Sequence, residues 1–374
     1  MRHTAPASPR SATASRRSLL VLLLLVLSTL PILVLAPHAS ALSKGLMDEN
    51  LPRSDDPADR AEFFDVAKRA NVKFVRTYIQ WEGKTTHPAA HEIDSIKRYA
   101  LEAKANGIDT MFIGFNGLIA APEGGGFTDA RDISLARYRL LVQRSVAALK
   151  PLQSAGVRLV WEPMNEANIY TLFPKTNGPE VWRKMQNIAY DEVKKQTPGA
   201  MVVAGELAPY ARNPKSTDPG VWVQKALGLD SRYRAKKGTR AKDYAIKADG
   251  WTLHSYDYKV DPAKTLRSDT KWTIRNVART RTLLRKIART KRVPTAAVGK
   301  VYITEFAYIA EGGQSTSEEN AAKWTQTAWD IAKRNDLRGF LWFQVRDPKE
   351  IFFSGLKTID GDERRVFPVF LGLD

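Results

Sequence analysis

The sequence predicts an α/β chain folded as one (β/α)8 (TIM) barrel, on three observations. Strand-like apolar runs alternate with helical patterns eight times, and polar or aromatic groups gather at the C-terminal ends of those runs. No linker or internal repeat divides residues 42 to 374. Strict alternation of this kind implies right-handed parallel βαβ units. A chain of 374 residues with 43% apolar and 26% charged content has ample material for one core of barrel size.

The first run, Gly45-Leu46-Met47, is short and is followed by a helical pattern from Ala58 to Ala70. Val72 to Trp81 is followed by Ala90 to Asn106, and Ile108 to Phe115 by Leu135 to Leu152. Val157 to Met164 reads as a strand buried on both faces and is followed by Pro179 to Lys195. Met201 to Leu207 precedes Val221 to Leu227, and Gly250 to His254 precedes Trp272 to Thr290. Val301 to Phe306 precedes Glu318 to Arg334, and Gly339 to Val345 ends the series. After Pro348 no eighth helix is evident, and Val366 to Leu373 reads as an irregular apolar tail.

Residues 1 to 41 stand apart. Arg2, Arg10, Arg16 and Arg17 precede the apolar segment Leu19 to Ala36, and Ala39-Ser40-Ala41 offers the small residues of a cleavage site. This is the pattern of an export signal, with a single retained membrane anchor as the alternative. The expected location is therefore secreted or extracellular, or anchored at the cell surface. Cysteine is absent, which excludes disulfides, thiol redox chemistry and thiolate metal sites. The formal net charge is +18, or +14 without the four leader arginines. A charge of that size favours anionic surfaces, and for an exported chain these are cell-wall polymers and acidic polysaccharides. Nucleic acid is not an expected partner, because no helix-turn-helix, zinc-finger or RNA-binding signature is present.

The C-terminal ends of barrel strands form the face on which active sites are built. Arg76 lies in the second run, which ends at Tyr78 and Trp81; the third ends at Phe115-Asn116. The fourth ends in Asn165-Glu166, the fifth at Glu206, the sixth in His254-Ser255-Tyr256, the seventh in Thr304-Glu305-Phe306 and the eighth in Trp342-Phe343-Gln344. Glu162 and Asp257 are further acids near the rim. Gly124-Gly125-Gly126 lacks phosphate-loop spacing and reads as a flexible rim segment. His87 and His91 stand four apart without an acid between them, so no metal site is expected from them, and no cofactor is implied. Ile274, Val277, Leu284 and Ile287 mark the buried face of the sixth helix, with Arg275, Arg279, Arg285 and Lys286 largely elsewhere.

Asn165-Glu166, Glu305, His254-x-Tyr256 and Trp342, in that order of strands, resemble the retaining glycoside hydrolases of clan A, the group that includes families 5 and 39. The stretch around the fourth strand is similar to the family-39 wording WE-x-x-NEPN, with Ala167 where that version has proline. The resemblance implies Glu166 as acid/base and Glu305 as nucleophile, acting on an oligo- or polysaccharide. Such a nucleophile must stay ionised, which Arg76 and hydrogen bonds from Tyr256 would favour; the acid needs an apolar or like-charged setting. Asn165 is then expected at the sugar 2-hydroxyl, Trp342 as an apolar floor, and His254 at the acid/base or the substrate. Arg76, Trp81, Asn116, Glu206 and Tyr256 complete the expected substrate-binding set. Glu206 has three readings: tuning Glu166, binding a hydroxyl, or pairing with an arginine. Glu206 with Glu305 is the second choice of acid pair. The competing classes are a glycan-binding barrel that does not cleave, and a lyase using a metal or a Schiff-base lysine. For the lyase, Lys73 in the second strand has no matching partner.

Overall fold

The computed structural model describes residues 42–374 apart from Glu123 and Ile351, together with Met1, His3 and Thr4. The export-signal reading falls on residues outside this set. No helix among the described residues is long and apolar enough to cross a membrane.

Eight parallel strands close into a barrel in chain order. They are β1 Ser43–Met47, β2 Phe74–Gln80, β3 Thr110–Asn116, β4 Arg158–Glu162, β5 Met201–Ala204, β6 Gly250–His254, β7 Val301–Glu305 and β8 Gly339–Phe343. The main helices are α1 Pro57–Arg69, α2 Ala90–Ala105, α3 Leu135–Leu149, α4 Gly178–Gln196, α5 Pro219–Ala226, α6 Val277–Arg289, α7 Glu318–Arg334 and α8 Val366–Leu371. Closure is made by β1 against β8, with Gly45 opposite Leu341 and Leu46 opposite Trp342. Asp48 locks that seam at the rim. Its carboxylate accepts from the amides of Asn50 and Leu51 at 2.9 Å and from those of Val345 and Arg346 at 3.2 Å.

The alternation of side chains along each strand divides the core into two layers. Met47, Phe74, Tyr78, Phe112, Val160, Val203 and Leu341 fill the barrel interior. Leu46, Val75, Ile79, Trp161, Leu253, Phe340 and Trp342 belong to the outer layer between strands and helices. The expected buried face of α6 and its approach, Ile274, Val277, Leu284 and Ile287, lies in this outer layer.

The apolar tail is not irregular. Val366–Leu371 forms the short helix α8, which buries Val366, Phe367 and Phe370. Phe370 packs on Trp342 at 6.0 Å between ring centroids, and the Trp329 indole N–H of α7 reaches the Asp374 carbonyl at 2.9 Å. Proline within the segment, Pro368, hides its helical pattern from a reading based on local preference.

Candidate active site

The site is built where β4 ends. The backbone amide of Asn165 bonds to the Phe115 carbonyl at 2.8 Å, and that of Glu166 to the Glu206 carbonyl at 2.7 Å. The turn after β4 is thus tied to the ends of β3 and β5. Glu166 adopts φ 40°, a left-handed conformation that costs a non-glycine residue on the order of 1 kcal/mol or more unless its surroundings hold it. At the end of β5, Gly205 has φ 123°, and a Cβ there would stand 2.1 Å from the Thr252 carbonyl oxygen. Glycine lets β5 approach β6 closely, which turns Glu206 inward. Gly114 on β3 leaves the space that Tyr78 and Glu206 occupy, since a Cβ there would lie 2.8 Å from the Tyr78 ring.

Arg76 is the hub of the floor and is fully buried. Its guanidinium contacts Glu162 and the Tyr78 hydroxyl, donates to Glu305 at 2.6 Å and to Asn165 at 3.3 Å, and lies 3.5 Å from Glu206. Glu305 also accepts from the Tyr78 hydroxyl and, at 2.9 Å, from that of Tyr256. Burial is the largest influence on Glu305 and pushes its carboxyl up. His254, Arg76 and the Tyr78 hydroxyl together outweigh it and hold Glu305 below its ordinary value. Glu206 goes the other way: burial first, then the neighbouring Glu162, raise it well above the carboxylate range despite Arg76. Of the three buried carboxylates around this guanidinium, Glu206 is the one farthest from it.

Glu166 meets a different environment. Its side chain is 15% exposed, and its carboxylate lies 3.0 Å from His254 Nδ1, which is itself 3.5 Å from Glu305. One oxygen of each glutamate and a ring nitrogen of His254 fall within 4.8 Å of one another. Both glutamates line a cavity of about 300 Å³ whose walls include Tyr210, Arg212, Tyr258, Phe343 and Phe352. A larger cavity, about 570 Å³, opens at the opposite ends of the strands around Phe112, Arg158 and Tyr302; it is lined by no acid and offers no comparable chemistry.

The structure gathers Arg76, Asn165, Glu166, Glu206, His254, Tyr256 and Glu305 as expected, and Asn116 joins them by accepting from the Asn165 amide at 3.2 Å. Two expectations fail. Trp342 is fully buried in the outer layer, with its N–H on the Ser354 carbonyl at 3.0 Å, so it cannot be a floor; Phe343, next along the strand, faces the cavity. Trp81 lies past the end of β2, buried against Tyr138 at 5.1 Å, and bonds to the Thr85 carbonyl. Glu206 is 1% exposed and lies beside Arg76 at 3.5 Å, a longer contact than Arg76 makes with Glu162 or Glu305. Asp257, the other rim acid, is tied to Arg275.

Tyr78 is a site residue not in the expected set, although its spacing from Phe74 and Arg76 puts all three on the inner face of β2. Phe352 and Tyr258 carry no such signal. Among the described residues, Glu166, His254 and Glu305 are the grouping with spacing suited to a metal ion. Glu305 is poorly placed to ligate one, because Arg76, Tyr78 and Tyr256 already engage both its oxygens and the Arg76 cation stands 2.6 Å away.

No protein-family model matches the sequence, and no curated protein matches it. Solved structures match in fold. A family 39 glycoside hydrolase from Bacteroides cellulosilyticus WH2 superposes with TM-score 0.60 at 15% identity, covering 90% of this chain and 64% of the other. A family 5 xyloglucanase from Paenibacillus pabuli gives 0.59 at 12% identity, covering 89% and 98%. A family 1 β-glucosidase from Thermotoga maritima gives 0.58 at 13% identity, covering 88% and 97%. This chain spans less than two thirds of the first of these, and the likeness it shares with all three is that of a (β/α)8 barrel.

Proposed function

We propose that this chain is an exported retaining glycosidase that cleaves β-glycosidic bonds of an oligo- or polysaccharide by double displacement. The observation that carries the reading is the pair Glu166 and Glu305, with oxygens within 4.8 Å in one cavity at the C-terminal rim. Retaining pairs stand about 5–5.5 Å apart, whereas inverting pairs need roughly 6.5–9.5 Å to admit a water. The barrel likeness to glycoside hydrolases supports the reading without choosing among their substrates.

In this mechanism Glu305, kept ionised, attacks the anomeric carbon as Glu166 gives its proton to the glycosidic oxygen. The carbon–oxygen bond breaks, the alcohol leaves, and a glycosyl ester forms on Glu305. Glu166, now a carboxylate, then takes a proton from water as that water attacks the same carbon. Glu305 is released and Glu166 is reprotonated. His254 fixes the direction of the Glu166 carboxyl. Asn165, held by Arg76 and Tyr78, is aligned for the 2-hydroxyl. A barrel that only bound glycans would have no use for a second carboxylate supported by three donors.

The test is stereochemical. Proton NMR of the first product released from an aryl β-glycoside by the purified protein should show the β-anomer before mutarotation. An α-product would mean that the two acids act across a water and would reject the assignment of Glu305 as nucleophile.

A further inference from the structure

Resting on the glycosidase reading, the inference concerns which sugars the cavity takes: we propose that Arg212 is a carboxylate-reading residue and that the preferred substrate carries a uronic acid at the site of cleavage.

Arg212 lines the same cavity as Glu166 and Glu305. Its guanidinium carbon lies 4.1 Å from the Tyr258 ring centroid. Tyr258 stacks on Tyr256 at 5.2 Å with the planes 3° apart, and the Tyr256 hydroxyl bonds to Glu305 at 2.9 Å. Two stacked rings therefore link the nucleophile to the cation along one wall of the cavity. The loop bearing Arg212 is pinned on both sides. The Ala211 amide bonds to Asp218 at 2.8 Å, and the Asn213 side chain caps the amides of Lys215 and Ser216 at 2.9 and 3.1 Å.

Arg212 is the arginine of the cavity lining, and its side chain is exposed. Among the described residues no carboxylate pairs with it, whereas Arg275 on the same rim is neutralised by Asp257 and Arg76 below it is engaged by Glu162 and Glu305. Arg212 stands over the Tyr258 ring and also donates to the Tyr258 hydroxyl, and the donors of its planar fork that remain can meet a carboxylate, which has the matching shape. The cavity would otherwise repel anions, because its floor holds two glutamates. A cation on the wall offsets that repulsion locally, and the net charge of +18 draws polyanions towards the protein. Lys215 over Tyr170 repeats the arrangement of cation on ring farther out, at 5.4 Å.

The experiment compares twin substrates that differ only at C6: aryl β-glucuronide against aryl β-glucoside, and aryl β-galacturonide against aryl β-galactoside. The wild-type protein should favour the uronide of at least one pair in kcat/KM. In Arg212→Ala the uronide-to-neutral ratio should fall roughly 10- to 100-fold, through KM, as expected for a lost charge-assisted bidentate pair. Arg212→Lys should keep part of the ratio and Arg212→Glu should depress it further. A wild-type preference for the neutral twin in both pairs, or an Arg212→Ala ratio equal to wild type, overturns the proposal and leaves Arg212 as packing for Tyr258. If the protein cleaves none of the four, the glycosidase reading fails separately; calorimetry with oligogalacturonate then decides the subsite. Binding lost in Arg212→Ala keeps it, and no binding or undiminished binding rejects it.

Discussion

The two glutamates of the cavity differ most in what holds them. Glu305 ends a strand, contacts four polar side chains and lies at the edge of a buried charge network around Arg76. Glu166 sits one turn beyond a strand, at φ 40°, with His254 as its one side-chain partner and part of its surface open to the cavity. A carboxylate surrounded by donors is stabilised in its charged form, and that is the setting of Glu305. The fold thus gives two glutamates of one cavity different surroundings, which is the contrast the proposed mechanism uses.

The largest expected effect breaks that contrast at Glu305. Glu305→Gln keeps the shape and removes the attacking charge, so turnover should fall by at least about 10⁴-fold. Glu166→Ala should be gentler on activated aryl substrates, whose leaving groups depart without a proton, and severe on unactivated ones. Azide should restore the Glu166→Ala variant and give a glycosyl azide of retained configuration, because it attacks the trapped intermediate. In Glu305→Ala the same anion should attack the substrate and give the inverted azide. Product NMR showing the reverse pairing of configurations would exchange the two roles.

An intermediate effect falls on stability. Arg76 is fully buried with Glu162 and Glu305 against it, so Arg76→Met leaves carboxylates in the core without a cation. Removing one partner of a buried ion pair costs about 3–5 kcal/mol. Urea unfolding should show a loss of that size, while Arg158→Ala, on the exposed pair with Asp109, should change stability by less than about 1 kcal/mol. Equal losses in the two variants would mean that the network around Glu305 is not the anchored region it is argued to be.

The eight strands were legible because a strand buried on both faces has no polar interruption, and β4 and β8 show this plainly. The two glutamates of the cavity stand out for the same reason, each lying at or just past the end of such a run. Orientation was harder. Phe340 and Trp342 share one face of β8 and Leu341 and Phe343 the other, so the strand parity that expels Trp342 from the cavity was present in the sequence, but choosing the larger aromatic overrode it. Tyr78 was readable from its spacing with Phe74 and Arg76. Arg212 was not, since its position depends on a loop held by Asp218 and Asn213, and no periodicity encodes such a loop. The opposite shifts of Glu206 and Glu305 depend on burial and on distances to their neighbours, and these exist only in the folded chain.

The smallest expected effect tests the shift of Glu206. Glu206 is held well above its ordinary value by burial and by Glu162, whereas in the unfolded chain the same carboxyl ionises near about 4.3. Between those two values the unfolded chain has released a proton that the folded chain keeps. The stability Glu206 contributes is therefore complete below the unfolded value and is lost as pH rises towards the folded one, at up to about 1.4 kcal/mol per pH unit. Glutamine has the shape of the protonated carboxyl and does not titrate. Glu206→Gln should accordingly gain stability relative to wild type as pH rises from about 4 to 7, measured by urea unfolding of both proteins at each pH. A stability difference that stays constant across that range would show Glu206 ionised in the folded protein, and Arg76 would then be shared by three charges rather than committed to Glu162 and Glu305.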